Sequence, residues 1–113
     1  MHADARKLLW DARRAAERVR NFARDKMFTE YQADDLLRSA VERQLTIVGE
    51  ALNQLRQIDP ETAGAIPELS RVVGFRNVLI HGYASVDNRI VWGVIEANLA
   101  SLLSSLERLL EQF

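Results

Sequence analysis

The sequence predicts an all-α fold, an antiparallel bundle of four helices forming a single domain over residues 1–113. Three observations carry that expectation. Apolar residues recur three and four apart through most of the chain, the period of a helix with one buried face. Five Gly and two Pro leave little room for the turns of an all-β fold. With 48% hydrophobic and 27% charged residues, the composition is that of a globular chain able to bury roughly two-thirds of its unfolded surface.

The first predicted helix runs from about Asp4 to Arg24, with Leu8, Ala12, Ala15, Val19 and Phe22 as its buried stripe. The second opens at Thr29, where Thr29 and Gln32 have the spacing of a capping box, and runs to about Gln57. It carries two apolar sets, Leu37, Val41, Leu45, Val48, Leu52, Leu55 and Leu36, Ala40, Ile47, Ala51, so it is expected to be buried on two sides. Asp59-Pro60 stops it, and residues 60–66 form a connector with room for a helical turn before Pro67 opens the third helix. That helix is short and ends at Ile80 or His81, with Gly82 expected in the left-handed conformation and Val78, Leu79 and Ile80 expected in the core. Asp87 caps the fourth helix, where Ile95, Leu99, Leu102, Leu106, Leu109 and Phe113 form one long seam. The double stripe and this seam exceed what a small monomer hides, so a homodimer is expected. The alternative is that all of these residues serve one chain's core.

No Cys is present, which removes disulfides and thiolate zinc sites. The N-terminus lacks an apolar signal core and no stretch reaches eighteen uncharged residues, so a soluble cytoplasmic protein away from membranes is expected. The net charge is −1, yet residues 1–28 carry eight Lys or Arg against four acids. Such a basic helix either lines a phosphate-binding surface or presents a solvated face to acidic neighbours.

Several chemistries lack their parts: there is no Gly-rich phosphate loop, no Gly-x-Ser-x-Gly elbow and no His-Glu-x-x-His helix. His2 and His81 are the only imidazoles, and His2 is expected on a mobile terminus. Asp34-Asp35, with Glu30 one turn earlier, read as partners of a helix dipole rather than a magnesium site. No metal or cofactor is expected. The segment Arg76-Asn77-Val78-Leu79-Ile80-His81-Gly82-Tyr83 gathers a cation, an amide, an imidazole and a phenol at the exit of a short helix. Asn77 and His81 share a helical face. Arg76 lies about 140° round from His81, so the two diverge within one chain but can converge with a second copy across a two-fold axis.

His81 sits where the helix dipole favours a protonated imidazole, a setting suited to acid–base work. These groups suffice for RNA cleavage without a metal: His81 moves protons, Arg76 clamps the phosphate, and Asn77 holds the His81 ring or a phosphate oxygen. Taken singly, each has an ordinary structural use as a helix cap, a salt-bridge partner or, for Tyr83, a core lid. Gly49, inside the second helix, costs about 1 kcal/mol relative to Ala and implies a close helix crossing. Glu50 beside it either orients His81 or Arg76, or is a solvent-exposed or capping residue.

Arg76-x4-His81-x-Tyr83 resembles the Arg-x4-His-x-Tyr motif of the HepT-like toxins, the DUF86 branch of the HEPN superfamily. Val48-Gly49-Glu50-Ala51 is similar to that family's Ile-Gly-Glu-Ala run, and Gly74-Phe75-Arg76-Asn77, His81-Gly82-Tyr83, Asp87 and Val91-Trp92 follow in the family's order. The resemblance covers about residues 30–100. It implies a HEPN-type dimeric bundle and a metal-independent endoribonuclease, with Arg76 and His81 facing each other across the two-fold axis. It further implies a type VII-like toxin–antitoxin pair, in which a minimal nucleotidyltransferase antitoxin silences the toxin by AMPylation of Tyr83. Two other readings stay open: a non-catalytic helical module binding substrate or nucleotide for the nucleotidyltransferase, and a purely structural dimerisation unit.

Overall fold

The period-3.6 stripes become helices almost where the pattern places them. The computed structural model describes residues 2–82 and 86–112, and every regular element among them is helical. α1 (Ala5–Ala23) buries Ala5, Leu9, Ala12, Ala15, Ala16 and Val19. Phe22, expected in that stripe, is instead exposed, because it falls off the edge of the buried face that Ala23 still continues. Asp25 ends the run in the left-handed region at φ 59°, a conformation that Asp tolerates better than most residues.

The second predicted helix is two. α2 (Phe28–Ala33) starts one residue before Thr29, so the expected Thr29–Gln32 box does not form. Met27 N–H instead donates to Glu30 Oε1 at 2.9 Å. The chain is extended at Asp34 (φ −112°, ψ 100°), whose Oδ1 accepts from Leu37 N at 3.0 Å and starts α3 (Asp35–Ile58). The Asp34-Asp35 pair is thus a cap and a first-turn acid, with Asp35 paired to Arg38. α3 packs against α1 on one side and on the other against α5 (Leu69–His81), which is the double-sided burial expected. Leu37, Val41, Leu45, Val48, Leu52 and Leu55 are all buried, whereas Leu36 of the second set faces solvent.

Asp59 ends α3 and caps α4 (Pro60–Gly64), the turn expected in the connector. Its carboxylate accepts from Thr62 N at 3.1 Å, Thr62 Oγ1 at 2.6 Å and the His2 backbone N at 2.8 Å. His2 is therefore tied down by its backbone rather than mobile. Pro67 lies in a turn, so the motif helix begins at Leu69 and not at the proline.

Asp87 Oδ1 accepts from Arg89 N at 2.8 Å and caps α6 (Asn88–Val94), as expected. A π-helical turn over Ile95–Leu99 then leads into α7 (Ala100–Leu110). Such turns are rare insertions into an α-helix. Here α6 packs on α2, while the π turn and α7 pack on α1, so the four-helix count becomes seven α-helical segments and one π turn among the described residues. The run Asn88–Leu110 has the length and apolarity of a membrane span, with mean hydropathy 1.2. Its seam residues Leu99, Leu102, Leu106 and Leu109 are nevertheless buried in the bundle.

Candidate active site

α5 holds its place through Leu69, Val72, Val73, Phe75 and Leu79. Of the three expected anchors only Leu79 is buried; Val78 is 49% exposed and Ile80 37%. They flank Leu79 in sequence and so point off the core face at 100° per residue. Exposed apolar side chains thus occur beside the motif, as they do at Leu36, Met27 and Ile90 elsewhere on the surface, whereas Leu99, Leu102, Leu106 and Leu109 of the seam expected to exceed a monomer's core are buried.

Arg76 lies on α5 one turn before Ile80 and on the same side, and it crosses α3 at Gly49. A Cβ on Gly49 would overlap Arg76 Cβ and come within 2.6 Å of its Cγ. The close crossing expected of Gly49 is therefore a crossing with Arg76 itself. Arg76 Nη1 donates to Asn77 Oδ1 at 2.9 Å, and Nη2 lies 3.8 Å from Glu50 Oε1. Its Nε is buried and has no hydrogen-bond partner. The guanidinium is held at its stem and on one edge, and its side chain remains 21% exposed.

His81 is the last residue of α5 and is exposed. Gly82 closes the helix with its N–H on Val78 O at 2.8 Å, but at φ −107°, not in the left-handed region expected. A Cβ on Gly82 would still lie 2.8 Å from Val78 O, so the position favours glycine for space. Among the described residues no hydrogen bond or ion pair joins His81 to Arg76, in keeping with their divergence round the helix. Asn77 is turned to Arg76 rather than to His81. Glu50 lies against Arg76, one of the alternatives left open by the sequence. Tyr83 lies outside the described residues.

Sequence reasoning passed over Trp10. It is 40% exposed and lines a groove of about 410 Å3 between α1 and α3, whose far wall includes Glu50. The available signal was its place in the helical period: Leu9, Ala12, Ala16 and Val19 define the buried face of α1, and Trp10 falls off it.

The family model "Ribonuclease HepT-like" matches residues 12–109. The chain is 34% identical over 107 residues to "Probable ribonuclease HepT" of Thermococcus cleftensis, covering 89% of this chain and 91% of that protein. It is 29% identical over 104 residues to "Putative RNase MJ1380" of Methanocaldococcus jannaschii, covering 92% and 94%. No solved structure was found to match it.

Proposed function

The chain belongs to the HepT-like ribonuclease family, and we propose that it is the toxin of a toxin–antitoxin pair, an endoribonuclease that cuts RNA without a metal ion. The observation that carries this reading is the Arg76 guanidinium, fixed by Gly49, Asn77 and Glu50 on the same helix as an exposed His81. A positioned cation and an accessible imidazole are what in-line attack by the RNA's own 2′-hydroxyl requires.

In the proposed reaction, His81 takes the 2′-hydroxyl proton and the 2′-oxygen attacks the adjacent phosphorus. The bond to the 5′-oxygen breaks, and that oxygen takes a proton from the imidazolium of a second copy. Arg76 carries the negative charge that accumulates on the phosphorane oxygens. The products are a 2′,3′-cyclic phosphate and a 5′-hydroxyl. Because Arg76 and His81 diverge in one chain, the cleft is composite and the active species a homodimer. Ile80, exposed one turn after Arg76 on the same side of the motif helix, offers apolar surface for it.

Regulation in this reading falls on Tyr83. A nucleotidyltransferase antitoxin transfers AMP from ATP to the Tyr83 hydroxyl and releases pyrophosphate. The new phosphodiester, one residue past Gly82, competes with RNA for Arg76.

The test is cleavage of labelled RNA in EDTA by the wild type, Arg76→Ala and His81→Ala, each confirmed to be folded and dimeric. Cyclic-phosphate ends from the wild type alone are expected. Equal cutting by all three, or cutting only after a divalent metal is restored, overturns the assignment. No cutting by protein that mass spectrometry shows to be free of AMP favours the nucleotide-binding module instead. Tyr83→Phe is expected to resist AMP transfer by the partner.

A further inference from the structure

The outer face of α1 is built around Trp10. At 100° per residue, Arg6, Lys7, Arg13, Arg14 and Arg18 all lie within about 80° of it. The acids among them are already engaged: Asp11 pairs with Lys7 at 2.9 Å and Glu17 with Arg13 at 3.5 Å. Arg6, Arg14 and Arg18 are exposed, and none of the ion pairs found among the described residues involves them. The Arg14 guanidinium lies 5.3 Å from the Trp10 ring centroid. Trp10, Arg14 and Arg18 share the groove between α1 and α3 with Gln44, Ile47 and Glu50, and the Glu50 carboxylate reaches Arg76. On its other side the indole lines a second hollow with Arg6 and Lys7, and a third in which Arg6 and Arg13 face Glu107 and Glu111 of α7 and its end.

We infer that Trp10, with Arg6, Arg14 and Arg18, forms a binding surface for single-stranded RNA that continues the Arg76 site along the α1–α3 groove. An exposed indole among unpaired guanidiniums matches the two faces of a single strand, a flat base and a phosphate on either side of it. One isolated aromatic among charged side chains offers too little apolar area to seat a helix or a bilayer. From Trp10 to Arg18 the helix rises about 12 Å, so the cations can meet successive phosphates. The inference rests on the ribonuclease reading for its substrate, but its site lies apart from the residues proposed to cut.

The test uses the full-length protein and a labelled 2′-O-methyl oligonucleotide of about twelve nucleotides, which 2′-hydroxyl attack cannot cleave. Trp10→Ala is expected to weaken its binding about tenfold and Trp10→Phe to restore most of it. Arg14→Ser with Arg18→Ser is expected to lower the slope of log Kd against log salt by about 1.4. In Trp92→Phe, which leaves Trp10 as the one tryptophan, the oligonucleotide is expected to quench the emission. If the wild type does not bind, or binds no better than Trp10→Ala and the double Arg variant with their fold intact, the surface is not an RNA site. The same holds if these variants lose only an acidic protein partner. Cutting of a dinucleotide separates the two claims: Trp10→Ala is expected to cut it at the wild-type rate while KM rises for long RNA. A wild type that cuts nothing yet binds through Trp10 would remove the ribonuclease reading and keep this one.

Discussion

Asp59 and Arg76 are both charged groups placed where two helices meet, Asp59 between consecutive helices and Arg76 at a crossing, yet their surroundings are opposite. Asp59 is 8% exposed and accepts three hydrogen bonds from Thr62 and the His2 backbone, which hold its carboxyl down at about 2. Arg76 offers five N–H donors. The structure gives it one hydrogen bond, to Asn77, a longer approach to Glu50, and a buried Nε with no partner. Burial leaves few unpaired polar groups in native proteins, so an unsaturated guanidinium wants an explanation. The Asp59 charge is saturated by the fold, and in the proposed reaction the donors that Arg76 keeps are the ones that meet the phosphate.

The sharpest way to break this contrast is Arg76→Lys. The charge stays but the planar fork is lost, and RNA cleavage is expected to fall about 100- to 1000-fold with little change in the unfolding midpoint. A large loss of stability with activity retained would place Arg76 with Asp59 as a structural charge. Gly49→Ala comes next. Its Cβ collides with the Arg76 stem, and denaturant unfolding is expected to show a loss of about 1–3 kcal/mol together with weaker cleavage, since α5 must move.

Asp59→Asn tests the other half of the comparison. The folded carboxyl titrates below its ordinary value of 3.8, so its contribution to stability is present above that value and is lost as pH falls towards 2. The variant is therefore expected to melt below the wild type at neutral pH, with the two curves meeting near pH 2. Cleavage is expected to be unchanged wherever both are folded. Glu50→Gln is the smallest effect, below about 1 kcal/mol in stability, because Glu50 is nearly half exposed and the pair is long. It is expected to raise KM rather than lower kcat if Glu50 only steadies Arg76.

The legible parts of the fold were those written in local spacing. Leu37 to Leu55 lie on one buried line of α3, and the Asp87 cap and the end of the short motif helix at His81 stand where their residues place them. The break at Asp34 leaves no mark in the sequence because no Gly or Pro stands there, and periodicity does not record that a carboxylate can cap a helix from within the run. The left-handed Gly82 and the buried Val78 and Ile80 were misread for a related reason. A residue type near a helix end suggests a conformation, but the neighbouring helices decide which face is covered.

The candidate site divides in the same way. The sequence alone placed Arg76, Asn77 and His81 on one short helix, separated Arg76 from His81 by angle, and demanded a close crossing at Gly49, since each follows from helix geometry or the cost of a mid-helix glycine. Only the tertiary structure decided that the crossing partner is Arg76, that Asn77 and Glu50 steady its guanidinium, and that Trp10 opens on a groove reaching back to Glu50. Those contacts join residues remote along the chain, and local spacing carries no record of which distant helix will pack against which face.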